Sequence, residues 1–273
     1  MATLATTTGH HDVRSSMHAG SDVLHAEWTK MRTVRSTSWS LLIVLAGTIV
    51  ISLLLCSAIV GQWDRMSTNE RANLDPMSLS LAGLFVGRLA IGVLGVLTIT
   101  AEYATGIIRS TFAAVPRRAT VLGAKAAVLA AVGLVFGTIA CGVAFLAGQA
   151  ILGTKGAGVS LLDPHALRAV IGGGLYLATL GLLGLGLGTI LRHTAGAISA
   201  FVGTVLVLPG LMAALPDPWH AIVKFLPSEA GQALVSVRTP VHSLSPWAGF
   251  AVLFVWAAAA LGLGAYFIGR RDA

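Results

Sequence analysis

Six stretches of this sequence are apolar for long enough to cross a hydrocarbon layer, and the segments between them are short and polar. Trp39 to Val60 runs 22 residues without a charge. At about 1.5 Å of rise per residue, that length exceeds the roughly 30 Å of a bilayer core. Further apolar runs cover residues 77–101 (interrupted only by Arg88), 126–152, 169–191, 194–216 and 247–269. The pattern predicts an all-α integral membrane protein with six transmembrane helices, in which residues 1–20 form a disordered tail and 21–273 one membrane domain. The first apolar run begins too far into the chain and is too long for a secretory signal, so it is expected to stay as an anchor.

Two weaker periodicities flank these runs. From Ser21 to Ser38, Leu24, Trp28, Met31 and Val34 recur near helical spacing with Lys30, Arg32 and Arg35 between them, which predicts an amphipathic interface helix with Trp28 at headgroup level. Pattern alone leaves open whether this helix only anchors the chain or also docks a partner. Between the fifth and sixth runs, Trp219, Ile222, Val223 and Leu226 repeat at helical spacing, as do Ala230, Ala233, Leu234 and Val237 after Ser228, a candidate N-cap. Two short outer helices are expected there, lying on or dipping into the outer leaflet. The alternative reading is a folded lid without a transport role.

Composition agrees with the pattern. Only 11% of the 273 residues are charged and the mean hydropathy is +0.83, far from a soluble domain. The net charge of +7 would suggest nucleic acid in a soluble chain, but the cations lie at span ends, so no nucleic-acid partner is expected. Of the Lys and Arg residues, eleven fall on one side of the six-span layout and six on the other. This bias places both termini in the cytoplasm of a plasma-membrane protein. Cys56 and Cys141 sit inside apolar runs and read as buried small residues. The pairs Gly83/Gly87, Gly133/Gly137 and Gly184/Gly188 have the spacing of close helix contacts.

The sequence carries few motifs for chemistry. Gly148 to Lys155 approaches a phosphate-cradling loop but places its Lys one position too late, and GGG at 172–174 and GLGLG at 184–188 lie inside apolar helix. No paired carboxylates, zinc motif or nucleophile with a spaced His appears, so no catalytic residue and no metal or cofactor is assigned to the chain. Arg88 stands apart, about a dozen residues into the second run. A cation at that depth costs at least about 2.5 kcal/mol and faces a protein interior or a water cavity. It either lines a translocation path, touching an anionic substrate or lipid head, or pairs with interior carbonyls and snorkels.

The one sizeable cation-rich segment between two apolar runs is Glu102 to Lys125, with one acid against Arg109, Arg117, Arg118 and Lys125. A carboxylate at the end of a helix faces the negative end of the dipole unless the helix continues or a cation compensates. Continuation past Gly106 is expected to bring Arg109 onto the face of Glu102, ahead of Pro116.

Four segments together resemble the six-span permease subunits of ABC-2-type transporters: EWTKMRTVRST at 27–37, EYATGIIR at 102–109, LPSEAGQAL at 226–234 and the RRDA end. The chain departs from that pattern at Ile107, where Thr is common, and at Arg88, where a neutral residue is expected. The resemblance implies two permease subunits, identical or different, each joined to a separate cytoplasmic ABC ATPase that binds ATP and Mg. It implies a coupling element holding Glu102, Tyr103, Thr105, Gly106, Arg109, Arg117 and Arg118, and an interface helix holding Trp28, Lys30 and Arg32. The expected function is export of a substrate without bond chemistry in this chain. A stand-alone secondary transporter predicts ionisable residues within spans, where only Arg88 is found, and a membrane-embedded enzyme predicts clustered catalytic groups.

Overall fold

The computed structural model describes residues 22–114, 118–214, 220–236 and 244–270, all helices and connections, with no strand among them. The predicted tail, Pro116, Arg117, Trp219 and Val237 lie outside the described residues. Six helices are long and apolar enough to span a membrane. They are α2 (Arg35–Arg65), α5 (Leu84–Thr105), α7 (Arg118–Gly153), α8 (Pro164–Leu191), α9 (Thr194–Met212) and α12 (Pro246–Arg270). Short helices fill the connections: α1 (22–33), α3 (Thr68–Asn73), α4 (Pro76–Ser80), α6 (Ile107–Ala114), α10 (His220–Val223) and α11 (Pro227–Val235).

Helix α8 is the centre of the bundle. It packs on α5, α7, α9, α11 and α12, and the most apolar part of it is 78% buried, against 22% for α2. Glycines make this possible. A Cβ on Gly95 of α5 would collide with the carbonyl of Gly181, and one on Gly184 of α8 with the carbonyl of Gly92, so the two backbones touch at two levels. All three glycine pairs singled out by spacing lie at such contacts: Gly83 and Gly87 against Thr48, Gly133 and Gly137 against Ala178 and Gly174, and Gly184 and Gly188 against α5. Ile91, Leu94, Leu129, Leu177, Leu180 and Phe201 fill the space between, each essentially inaccessible. Cys56 and Cys141 are buried free thiols, as their setting implied.

Three boundaries differ from expectation. The second run is two pieces, α4 and α5, separated by a turn at 81–83. That break is tolerated at depth because neighbouring helices meet polar groups at the turn and on α4 before it: the Gly83 amide donates to Ser52 Oγ at 3.0 Å, and the Gln149 side-chain amide donates to Pro76 O at 3.0 Å and Ser80 Oγ at 3.1 Å. Residues 118–125 are already helical, so α7 reaches 36 residues. Finally, α11 starts at Pro227 with Leu226 as its cap residue, and Ser228 lies inside the first turn.

The connection from α10 to α11 dips along the outside of α12, with Ile222 and Phe225 exposed, and only α11 beyond it is enclosed by the bundle. Trp256, ten residues into α12, donates from its indole to Phe225 O at 3.0 Å, which puts the bottom of the dip about 15 Å along that helix. From there α11 climbs back against α8 and α12, with most of its residues buried and the Tyr176 hydroxyl donating to Ser228 O at 3.2 Å. Helix starts elsewhere follow a repeated Asp-Pro device. Asp163 accepts from the His165 amide at 2.8 Å ahead of Pro164, as Asp75 does from Met77 at 3.1 Å ahead of Pro76. Asp163→Ala is expected to cost about 1 kcal/mol, read as a lowered thermal midpoint in detergent, with Asp163→Asn close to unchanged.

Candidate coupling base and a membrane-depth cavity

The segment predicted to couple the chain to a partner contains a buried four-membered ion cluster. Glu27 and Lys30 lie one turn apart on α1, Glu102 stands near the end of α5, and Lys125 enters from two turns into α7. The Lys125 ammonium reaches Glu27 Oε2 at 2.8 Å and Glu102 Oε1 at 2.6 Å, while Lys30 reaches Glu27 Oε1 at 3.1 Å and Glu102 Oε1 at 2.9 Å. Two carboxylates and two ammoniums balance, which is the condition under which buried charge is tolerated. The Lys125 side chain is 1% exposed and that of Lys30 is 40% exposed, so the cluster is closed on one side and open to solvent on the other.

This arrangement corrects two expectations. Helix α5 does not run on past Gly106, which adopts the left-handed conformation (φ 73°) and ends it; Glu102 is compensated by Lys125 and Lys30, not by Arg109. On α1 the buried residues are Glu27 and Met31, while Leu24, Trp28 and Val34 are 41%, 44% and 45% exposed. The helix is fastened by charge as much as by an apolar stripe.

Burial pulls the Lys30 ammonium down, but hydrogen bonds and charge from Glu102, then Glu27, outweigh it and raise Lys30 above its usual 10.5. A raised basic group stabilises the fold fully below 10.5 and loses that contribution as pH climbs through the folded value. The stability difference between wild type and Lys30→Met is therefore expected to be flat around neutral pH and to shrink above 10.5, measurable by thermal unfolding across pH.

The residues expected in the coupling element and on the interface helix divide into two groups. Facing inward are Glu102, Tyr103, whose ring carries the Arg192 guanidinium at 5.2 Å, and Arg118, which donates to Ile268 O at 2.8 Å and lies over Phe112. Thr105, Gly106, Arg109, Trp28 and Arg32 are exposed at the same end of the molecule. Thr105 Oγ1 returns to Ala101 O at 2.9 Å. Helix α6 hangs from Gly106 with Ile108 buried and Ile107 52% exposed.

The second feature lies deeper. Arg88, 9% exposed, packs its guanidinium over the Phe85 ring at 4.5 Å and beside the Tyr176 hydroxyl, and its Nε has no hydrogen-bond partner. It opens into a cavity of about 380 Å³ that Glu229 and Gln232 of α11 also line. Gly87 packs on Leu177, midway along α8, so Arg88 does sit near the middle of the bundle.

Sequence reasoning singled out neither Glu27 nor Lys125 as site residues, and it missed Tyr176, Glu229 and Gln232. The available signal was the pairing of an acid at the end of one run with a lysine at the start of the next, beside Glu and Lys three residues apart at 27 and 30.

No curated protein sequence matches the chain significantly. Residues 23–210, well over half of the chain and including all four members of the ion cluster and Arg88, match the family model described as ABC-2 family transporter protein. Together with the six helices long and apolar enough to span a membrane, that match identifies a multi-pass membrane protein of the transport type, and the chain belongs to the ABC-2 transporter family.

Proposed function

We propose that the chain is the membrane-spanning subunit of an ATP-driven exporter in the plasma membrane, with both termini in the cytoplasm. A separate cytoplasmic ABC ATPase binds ATP and Mg and supplies the drive, and two permease chains, identical or different, enclose the path. The observation that carries this reading is the contrast at the cation-rich end. A short exposed helix, α6, is jointed at a left-handed glycine, beside a base locked by the four-membered ion cluster. A partner pushing on α6 then moves α5 and α7 through a base that does not deform. The drive is the partner's differential affinity for two permease states, since a ligand shifts an equilibrium only by that difference.

Arg109 and Ile107 are the exposed contact residues of this element, and Glu102 acts through the base. Arg109→Glu combined with Ile107→Asp is expected to leave folding intact, because both residues are exposed. The pair should reduce co-purification of a co-expressed ABC ATPase, and stimulation of its hydrolysis, at least tenfold. Unchanged association and stimulation would remove the coupling role.

A further inference from the structure

The cavity beneath Arg88 holds two opposite charges that do not meet. Arg88 and Glu229 line the same space, yet no ion pair joins them, and Arg88 pairs with no carboxylate among the described residues. Phe85 covers one face of the guanidinium and the Tyr176 hydroxyl takes one of its N–H groups, which leaves the Nε–H and the rest of the in-plane edge to meet a planar or tetrahedral oxyanion. The buried Nε without a partner is costly to keep unless something binds there. Across the space, Glu229 and Gln232 stand one turn apart on α11 and offer acceptors only an ammonium or another donor can satisfy. At about 380 Å³, the volume is in the range of small-ligand sites.

We propose that this cavity binds a zwitterion, with its phosphate or carboxylate on Arg88 and its ammonium on Glu229 and Gln232. The proposal deepens the transport reading, on which it rests, by giving the class of molecule moved. A purely anionic ligand satisfies Arg88 but is placed against Glu229, and a purely cationic one meets the reverse conflict, so both should bind more weakly than a ligand carrying both charges. The same chemistry occurs in an aminophospholipid headgroup and in soluble molecules such as phosphoethanolamine or a dipeptide.

Binding is measured on the purified full chain in detergent, without ATPase, so the result is independent of the coupling test above. The probes are short-chain phosphatidylethanolamine, phosphatidylglycerol with the same chains, phosphoethanolamine and dialanine. Phosphatidylethanolamine or one of the soluble zwitterions is expected to bind, and phosphatidylglycerol at least tenfold more weakly. Arg88→Gln and Glu229→Gln should each weaken the zwitterion at least tenfold, while Glu229→Gln improves phosphatidylglycerol. If Arg88→Gln fails to fold, the half-buried Glu229→Gln alone decides through that opposite response of the two lipids. Binding of the lipid alone assigns the source to the membrane, and binding of the soluble probes assigns it to solution. No zwitterion binding overturns the proposal, and so does zwitterion binding that Glu229→Gln leaves unchanged; where phosphatidylethanolamine binds, equal affinity for phosphatidylglycerol or an identical response of both lipids to Glu229→Gln overturns it as well.

Discussion

Lys125→Met is expected to be among the most damaging single substitutions in the chain. It removes the one ammonium that touches both carboxylates from within the bundle, leaving Glu27 and Glu102 against the half-exposed Lys30. Breaking a buried ion pair from one side costs about 3–5 kcal/mol, because the stranded charge keeps its desolvation penalty. In thermal unfolding of the purified chain this reads as a large fall in midpoint, and in cells as loss of full-length protein. The sharper measurement is the double variant Lys125→Met with Glu102→Gln. Once the charge is balanced again, it should recover a substantial part of what the single change loses. A Lys125→Met protein that melts like wild type would show that the cluster is not what fastens α1 and α7 to α5.

Gly184→Val is the second large effect. A Cβ at this position runs into the Gly92 carbonyl, which belongs to a helix backbone and cannot rotate aside. Helices α5 and α8 must separate, and every side chain between them loses contact. Overpacking usually costs about 1–3 kcal/mol when side chains can adjust; with backbone as the obstacle, the expected loss is at or above the top of that range. Gly95→Val, which meets the Gly181 carbonyl one contact further along, should act the same way. Gly262→Val is the control, since an added Cβ there has nothing within 4 Å, and its midpoint should stay near wild type. Equal behaviour of Gly184→Val and Gly262→Val would disprove the backbone contact.

Much of the fold was legible because a bilayer imposes length. A run such as Trp39 to Val60 has no alternative to spanning, and the spacing of Gly83, Gly133 and Gly184 with their partners marked true helix contacts. The turn at 81–83 was invisible because Leu81 and Ala82 are as apolar as the helices beside them, and the groups that satisfy it, Ser52 and Gln149, come from distant parts of the chain. The base was half legible. Glu102 could be seen to need a cation, but hydrophobic periodicity on α1 pointed to Leu24 and Trp28 instead of Glu27, which is 98 residues from its partner Lys125. Arg88 declared itself by its cost, whereas Glu229 sat in a segment read as a short amphipathic helix on or in the outer leaflet, with no signal that tied it to Arg88.

The central place of α8 has a consequence for biosynthesis. Its apolar window has the lowest mean hydropathy of the six spans, 1.8 against 2.7 for α2, and it is the one most thoroughly enclosed by protein. Helix α2 can leave the translocation machinery on its own. Helix α8 carries Gly186 and Thr189 against α12, where they meet Ala260 and Gly264. Because α12 follows α8 and α9 in the chain, the heart of the bundle stays unfinished until α12 has also left the ribosome, and quality control of the nascent chain bears on that segment.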